Sequence, residues 1–403
     1  MKVAYYSPMP PSHSGIADYS ALLLPALRKR VAEIIVAEPG KRAPRADVAL
    51  YQVGNDPDAH GWIVDALRKR PGVVVLHELV LHHLIAGITI GRGNGRGYLD
   101  AMERDYGVAG RLLGLGVLDN LLPLIWETQP ERFPLAGTVL DLAEGVIVHS
   151  RYVERGVRAA GYGGPLWRIP HPAWPDEPVS PAGVTGDPLV GCFGYLNMNK
   201  RIPSLLEGFM LLRRERPGAR LLLVGESAER FDLDRRLERL GIGGDALIRE
   251  AWVSEERFWS LMAACDVLVN LRSPTMGETS GSVVRGLTLG KPMLVSDLGW
   301  FAELPDGVAL RVPVDEYEVP TIAAALELAA DRGDELGAAA REYVRREHDL
   351  GATADAYVAA LEETAGGEAV SRALLRRIAK AAADAGIDDV SELARAARES
   401  GLV

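Results

Sequence analysis

The chain has 403 residues, of which 48% are hydrophobic and 25% are charged, and its formal net charge is −10 at pH 7. This length predicts two or three domains, each large enough to bury a core of its own. The acidic balance argues against nucleic acid as the main partner, and it means that a site for an anionic substrate must be built from local groups.

The features of a secreted or membrane-spanning protein are not found in the sequence. The most apolar stretch, 112–126, is interrupted by Asp119 and Asn120, so no membrane span is predicted. The first residues are strand-like and lack the apolar core of a secretory signal. Two cysteines, Cys192 and Cys265, make no disulfide framework. We therefore expect a cytoplasmic protein, and a peripheral position at the inner face of a membrane is left open.

Short apolar runs alternate with helical stretches along most of the chain. The predicted strands are 2–8, 33–38, 48–54, 72–78 and 145–150 in the first half, and 189–195, 219–226, 266–271 and 291–297 in the second. Such runs, separated by helices, indicate parallel sheets covered by helices on both faces. The Pro- and Gly-rich stretch 170–188 is typical of a linker. The pattern predicts two doubly wound α/β domains, in which ligands bind outside the C-terminal ends of the strands.

The stretch TMGETSGSVVRGLTLGKPML, 275–294, predicts a helix with small and hydroxyl residues around its N-terminus. A helix N-terminus presents unpaired N–H groups and a partial positive charge, so it can bind a phosphate. Glu278 would repel a phosphate but can accept hydrogen bonds from sugar hydroxyls. We assign Glu278 to a sugar. The residues whose amides we assign to a phosphate are Thr279, Ser280, Gly281 and Ser282. The alternative is an ordinary N-cap beside a solvated acid.

A second stretch, 191–226, reads as a strand, a loop, a helix and a strand. Together with 275–294 it resembles the C-terminal half of retaining glycosyltransferases of family 4, which have the GT-B fold. The family pattern has a lysine in the loop, then a Glu-x-x-Gly turn and a helix that leads to Gly-x-Pro. The matching residues here are Lys200, Glu278, Gly281, Gly290 and Pro292. The resemblance covers about residues 1–365.

The resemblance implies an α/β protein of GT-B fold, with two Rossmann-like domains that face across a cleft and a C-terminal helical appendage. Its four expected parts are an acceptor-side domain over 1–175, a nucleotide-sugar-binding domain over 186–348, a helix over 349–365 that packs back toward the first domain, and a helical tail over 366–403.

Roles for single residues also follow from the resemblance. In the family the lysine neutralises the donor diphosphate, a histidine at a strand end lies near the donor sugar, and a glycine after the first strand packs against the diphosphate. The matching residues are Lys200, His77 and Gly15. With Glu278, Lys200 and His77 form the expected catalytic set. No metal is required, because a lysine and a helix dipole can stabilise the leaving nucleotide. The alternatives are a solvent-facing loop lysine and a generic strand-to-helix turn at Gly15.

Two positions depart from the family pattern. The family's arginine after the glycine is Tyr195 here, and Arg285 stands at about the position of a second glutamate that holds the nucleotide ribose. Arginine cannot accept a hydrogen bond, so the usual ribose recognition is not expected. Our hypothesis is that Arg285 supplies the guanidinium missing at Tyr195, with pairing to a surface acid as the alternative. Arg249 and Trp252 match the base-binding region, and a core position for Trp252 is equally open.

A histidine-rich stretch and a glycine-rich stretch do not match known binding motifs. The histidine-rich stretch 77–83 lacks the histidine that a zincin helix would need at Leu81, so no metal site is expected. The glycine-rich stretch 91–97 does not follow a predicted strand, and we predict a mobile loop there.

The sequence thus predicts a retaining, hexosyltransferase-like enzyme that moves a sugar from a nucleoside-diphosphate sugar to a hydroxyl of a glycan, a lipid-linked acceptor or a small molecule, without a cofactor. Basic clusters such as 372–380 favour a solvated helix face, and weak membrane-surface contact is left open, as is the oligomeric state. The alternative is a non-catalytic nucleotide-sugar-binding protein or partner subunit, which the changes at Tyr195 and Arg285 support.

Overall fold

The computed structural model describes residues 1–12, 14–228 and 231–367, and the single residues 375, 378 and 395. The predicted helical tail over 366–403 therefore lies almost wholly outside the described residues. No helix within the described ranges is long and apolar enough to cross a membrane.

The chain divides into two compact units. The first unit contains Met1–Pro170, the short segment Met276–Glu278 and the described residues from Gly351 onward. The second unit contains His171–Thr275 and Thr279–Leu350.

The first unit is built on a six-stranded parallel sheet. Its strands are β1 (Lys2–Tyr6), β2 (Glu33–Val36), β3 (Val48–Val53), β4 (Gly72–Leu76), β5 (Ala143–Val148) and β6 (Leu166–Arg168). Their order in space is β2-β1-β3-β4-β5-β6, and all neighbours are parallel. Every residue of β3 and β4 is buried, as expected for strands covered by helices on both faces. The sequence predicted five of these strands and missed the three-residue β6.

Seven helices of the first unit connect or flank these strands. They are α1 (Gly15–Arg28), α2 (Pro57–Lys69), α3 (His82–Thr89), α4 (Gly95–Leu118), α5 (Ile125–Thr128), α6 (Gly137–Leu140) and α7 (Arg151–Ala159). The prediction of a mobile loop over 91–97 is wrong, because this stretch contains a 3-10 turn and the start of α4. Asn94 caps α4, since its Oδ1 accepts a hydrogen bond of 2.9 Å from Gly97 N.

The second unit has a six-stranded parallel sheet of its own. Its strands are β7 (Leu189–Phe193), β8 (Arg220–Val224), β9 (Leu247–Glu250), β10 (Val267–Asn270), β11 (Met293–Ser296) and β12 (Leu310–Val312), in the order β12-β11-β10-β7-β8-β9. Its helices are α8 (Ile202–Glu215), α9 (Leu233–Leu240), α10 (Glu255–Ala264), α11 (Gly281–Thr288), α12 (Glu318–Asp331) and α13 (Gly333–Glu347). Four strands were predicted, whereas the edge strands β9 and β12 were not.

A last helix, α14 (Leu350–Ala365), belongs from Gly351 onward to the first unit. It packs on α1, where the Tyr357 and Tyr19 hydroxyls lie 2.6 Å apart in a buried position. Arg30, which follows α1, donates a hydrogen bond of 2.6 Å from Nε to Asp355 Oδ1. These contacts attach α14 to the helix that follows β1.

A buried histidine makes the stability of the first unit depend on pH. His82 Nδ1 lies 2.8 Å from Phe133 O and its Nε2 lies 2.8 Å from the Tyr98 hydroxyl. Burial lowers the pKa of His82 to about 4, as it does for His60. In the unfolded chain a histidine titrates near 6.5, so between these values the unfolded state binds more protons than the folded state. Stability is therefore lost as the pH falls from about 6.5 to about 4.

We expect each of these two histidines to contribute about 1–3 kcal/mol to this loss of unfolding free energy. A His82→Gln variant should show a smaller difference in unfolding free energy between pH 7.5 and pH 4.5 than the wild type, by urea titration. The matched control is His83→Gln, because His83 is the exposed neighbour of His82 on α3. Equal pH dependence in both variants would contradict the assignment to His82.

Candidate functional site

The C-terminal edge of the second sheet brings two predicted site segments together. Strands β7 and β10 are parallel neighbours, with Val269 level with Cys192. The loops that follow them lie against each other, because Ser273 N donates a hydrogen bond of 2.9 Å to Asn199 O. The first loop carries Lys200, and the second leads toward α11. This is the edge at which open parallel sheets bind ligands.

Lys200 is held in a buried position after β7. Asn197 caps the 3-10 turn Met198–Lys200, and its Oδ1 accepts a hydrogen bond of 3.0 Å from Lys200 N. The Lys200 side chain is 7% exposed, and its Nζ donates to Phe193 O. Gly194 has φ +93°, and a Cβ there would lie 2.7 Å from Lys200 Nζ. The alternative of a solvent-facing loop lysine is therefore wrong, and the glycine gives the ammonium its space.

Helix α11 begins at Gly281, two residues later than the first amide that we assigned to a phosphate. Ser280 is its N-cap, and its Oγ accepts a hydrogen bond of 3.4 Å from Val283 N. The Thr279 Oγ1 is buried and has no hydrogen-bond partner among the residues that the structure describes. The N–H groups of Gly281 and Ser282 are the first of the helix, where no intrahelical acceptor exists. The segment thus offers donors of the kind that bind phosphate.

Arg285 points back along α11 into an aromatic cluster of the second unit. The centre of its guanidinium lies 3.7 Å from the centre of the Trp174 ring, and the Phe258 and Trp259 rings are within 6 Å. Its Nη2 lies 3.7 Å from Glu255 Oε1, and the residue is only 7% exposed. The cation is therefore stabilised by ring faces as well as by a carboxylate. Sequence reasoning missed Trp174, whose only signal was an aromatic residue within the linker.

The remaining predicted residues of the second unit are more exposed. Tyr195 is 53% exposed and Trp252 is 62% exposed, so the core alternative for Trp252 is wrong. Arg249, in the edge strand β9, forms an ion pair with Asp234. Their roles at a base pocket stay predictions.

Glu278 belongs to a short turn that packs within the first unit. Its Oε2 accepts a hydrogen bond of 2.8 Å from Met276 N. Met276 O in turn accepts hydrogen bonds from Leu79 N at 2.8 Å and Val80 N at 3.0 Å. Gly277 has φ +84°, and a Cβ there would lie 2.8 Å from the Leu79 Cβ. The carboxylate thus shapes a turn that lies on the segment after β4, and glycine is required because of both the backbone angle and the close approach.

His77 follows β4 and lies in a polar cluster of the same unit. Its Nε2 is 2.7 Å from Gln52 Oε1, and its ring contacts Tyr19 edge-on at 4.7 Å between centres. The His149 ring centre is 5.1 Å away. An amide oxygen only accepts, so Nε2 carries the hydrogen in this pair. Gln52 was missed by the sequence analysis, although it is the one amide side chain in the otherwise apolar strand β3.

Gly15 is the first residue of α1, after the N-cap Ser14. Among the described residues, a Cβ at Gly15 would meet no atom within 4 Å. The fold therefore gives no steric reason for glycine at this position, unlike Gly277. We predict that a bound ligand requires the glycine here.

We expect Gly15→Ala to leave the melting temperature unchanged while it weakens donor binding about tenfold, or about 1.4 kcal/mol. The added methyl would separate the backbone from a diphosphate that packs against it. Calorimetric titration with a nucleoside diphosphate measures this effect. Gly183→Ala is the matched control, because a Cβ there also meets nothing within 4 Å of the described structure. Unchanged affinity in Gly15→Ala would remove Gly15 from the site.

The thiols and acidic groups of the described chain form no evident metal centre. No group of three or more His, Cys, Asp or Glu side chains in those residues is arranged to hold a metal ion. Cys192 and Cys265 are both buried and reduced. Burial raises the pKa of both thiols, to about 12 for Cys265. Both thiols are therefore protonated at neutral pH.

A family model matches part of the chain. Residues 187–331 match the family model described as glycosyl transferases group 1. This is roughly a third of the chain, and nearly all of it lies in the second unit. None of the curated proteins matches the sequence.

Several solved structures share the architecture. HepE from Anabaena, in complex with UDP and glucose, is 16% identical, with a TM-score of 0.60 over 90% of this chain and 100% of that one. Sucrose-phosphate synthase from Thermosynechococcus elongatus is 18% identical, with a TM-score of 0.57 over 89% and 98%. WaaG, a glycosyltransferase involved in lipopolysaccharide biosynthesis, is 12% identical, with a TM-score of 0.57 over 89% and 99%. These likenesses, with the two parallel sheets, confirm the predicted GT-B fold.

Proposed function

We propose that this protein is a glycosyltransferase that moves a sugar from a nucleoside-diphosphate sugar to an acceptor hydroxyl, with retention of the anomeric configuration and without a metal. The observation that carries the proposal is the edge of the second sheet, where a buried lysine follows β7 and a helix N-terminus follows β10. A fixed ammonium and unpaired N–H groups at one sheet edge suit a diphosphate. The match to glycosyl transferases group 1 over 187–331 supports the same conclusion.

The proposed reaction breaks the bond between the anomeric carbon and the diphosphate oxygen, and forms a bond from that carbon to the acceptor oxygen. The acceptor hydroxyl loses its proton to an oxygen of the departing diphosphate on the same face. Lys200 and the amides at the start of α11 stabilise the charge that develops on the leaving group. No protein nucleophile is used.

In the first unit, we propose that Glu278 accepts hydrogen bonds from donor-sugar hydroxyls and that Gly15 and His77 complete the substrate site. The His77 ring is suited to exchange hydrogen bonds with a sugar or to relay the acceptor proton. Arg249 and Trp252 are the proposed base-pocket residues. The acceptor classes remain a glycan, a lipid-linked molecule or a small molecule, and a cytoplasmic location is part of the proposal.

Thermal unfolding with UDP, GDP, ADP, dTDP or CDP, each with and without EDTA, tests the proposal. A ligand at about 100 times its dissociation constant adds roughly 2.7 kcal/mol, which raises the melting temperature measurably. We expect a rise with one diphosphate that EDTA does not change. A rise that EDTA removes would contradict metal independence, and no rise with any of the five would contradict the donor site.

Turnover separates the enzyme from a non-catalytic binder. The exposed Tyr195 and the stacked Arg285, at positions where the family pattern has other residues, favour the binder as the second candidate. Release of the free diphosphate only when an acceptor is present supports the transferase. If the protein binds the nucleotide sugar but releases no free diphosphate with any acceptor tested, the result would support the non-catalytic binder instead.

A further inference from the structure

We infer that Arg272 is a second cationic residue of the diphosphate site, beside Lys200. This inference rests on the proposed function and names a group that the resemblance to known transferases does not assign. Arg272 lies in the loop after β10, and Lys200 lies in the loop after β7. Four independent features of the second unit place the two residues at one edge of the sheet.

The first feature is the strand register. Val267, Leu268 and Val269 of β10 are level with Val190, Gly191 and Cys192 of β7. If this register is continued along both chains, Arg272 comes level with Tyr195. The loop after β10 therefore carries an arginine at the level where the loop after β7 lacks one, and the two strands are neighbours in the sheet.

The second feature is the contact between the two loops. Ser273, the residue after Arg272, donates a hydrogen bond of 2.9 Å to the carbonyl of Asn199, the residue before Lys200. The two cationic residues thus each neighbour one end of the same backbone hydrogen bond. This bond fixes the relative position of the two loops.

The third feature is the anchoring of Arg272 itself. Its backbone N donates a hydrogen bond of 2.8 Å to Ser296 Oγ at the end of β11, and its Nη1 lies 3.1 Å from Leu271 O. The residue is half-buried. A cation that is held in this way loses less conformational freedom on binding than a solvated arginine.

The fourth feature is the electrostatic effect on β7. Burial raises the pKa of the Cys192 thiol, and the positive charges of Lys200 and Arg272 both act to lower it. Both cations are therefore close enough to the C-terminal part of β7 to act on the same buried atom. Two positive charges at this edge suit a ligand that carries two phosphates, and guanidinium is the group that binds phosphate bidentately.

Arg285, to which we first assigned this role, is less suited to it. The Trp174 ring covers one face of its guanidinium at 3.7 Å, and the residue is 7% exposed. Arg285 therefore serves as the comparison arm in the experiment that tests Arg272.

The experiment measures the affinity of the full chain, by calorimetric titration, for the diphosphate that stabilises the wild type and for the corresponding nucleoside. We expect Arg272→Ala to weaken diphosphate binding about 10- to 100-fold, as for loss of hydrogen bonds to a charged group, and to leave nucleoside binding within about twofold. Arg272→Lys should recover part of the loss, because it keeps the charge but not the bidentate geometry. Arg285→Ala should have a smaller effect on the diphosphate.

Two controls keep the result interpretable. Arg332→Ala removes an exposed arginine of the same unit that pairs with Glu335, and it should change neither affinity. Arg272→Gln keeps the side chain as far as Cδ and a polar end group but removes the charge, and it replaces the alanine variant if that variant does not fold. Wild-type protein that binds no diphosphate would overturn the proposed function and this inference together. A second outcome would overturn this inference alone. In that outcome the wild type binds the diphosphate, Lys200→Ala weakens the binding, and the Arg272 variants leave it unchanged.

Discussion

Replacement of Lys200 by alanine is expected to lower kcat for sugar transfer by about 10²- to 10³-fold, the cost of losing one preorganised group that stabilises developing charge. The effect is large because the ammonium is buried and cannot be replaced by a solvated counterion. Rates with saturating acceptor and a series of donor concentrations measure it. Diphosphate affinity should fall in parallel, whereas nucleoside affinity should not.

The matched control is Lys291→Ala. Lys291 precedes β11, so it lies at the N-terminal edge of the same parallel sheet, opposite to the edge that carries Lys200. Lys291 is partly buried, and burial lowers its pKa. Lys291→Ala therefore tests whether the removal of any partly buried lysine lowers the rate. Equal losses in the two variants would mean that the sheet is disturbed as a whole. A full rate in Lys200→Ala would exclude the proposed leaving-group role.

Substitution of Glu278 is expected to give the second large loss of activity. Two substitutions distinguish a role in catalysis from a role in stabilising the turn. Glu278→Gln keeps an oxygen that accepts the hydrogen bond from Met276 N, but it removes the negative charge. We expect an unchanged melting temperature and a fall in kcat/KM of about 10- to 100-fold, since hydrogen bonds to charged groups contribute about 1.5–3 kcal/mol. Steady-state kinetics with the donor varied, together with thermal unfolding, check both parts.

Glu278→Ala removes the acceptor as well as the charge. The turn that presents Met276 O to Leu79 N and Val80 N then loses its internal hydrogen bond, so the melting temperature should fall in addition to the rate. A glutamine variant with full activity would show that Glu278 only shapes the turn. Equal loss of stability in both variants would show that the charge itself supports the fold.

The fold could be predicted from the sequence because its signals are local. The buried strands β3 and β4 of the first unit and β7 and β10 of the second read as continuous apolar runs, and the helices between them force parallel pairing. The missed strands β6, β9 and β12 have only three or four residues each and lie toward the sheet edges. Their apolar pattern is too short to predict a strand. The stretch 91–97 was mispredicted because a cap at Asn94 allows a helix to begin within glycine-rich sequence.

The sequence predicted only part of the site. Motif residues could be identified from their order along the chain, whereas their contacts with distant segments could not. Lys200, Glu278 and Gly281 follow from their order along the chain. Other predicted residues have partners from distant segments: Gln52 lies beside His77, and Trp174 lies on Arg285. Arg272, in the loop after β10, neighbours the loop after β7 that carries Lys200.

By itself, the sequence determined two Rossmann-like domains, a helix N-terminus among small residues and the lysine that follows β7. Only the tertiary structure decided that Lys200 is buried, that Arg285 is stacked on an aromatic ring, and that the loops carrying Lys200 and Arg272 lie against each other. The physical reason is that apolar periodicity and capping depend on residues within a few positions of each other, whereas burial and charge neighbourhood depend on strand order. In this sheet β10 follows β7 by more than 70 residues in the chain, yet it lies beside β7 in space.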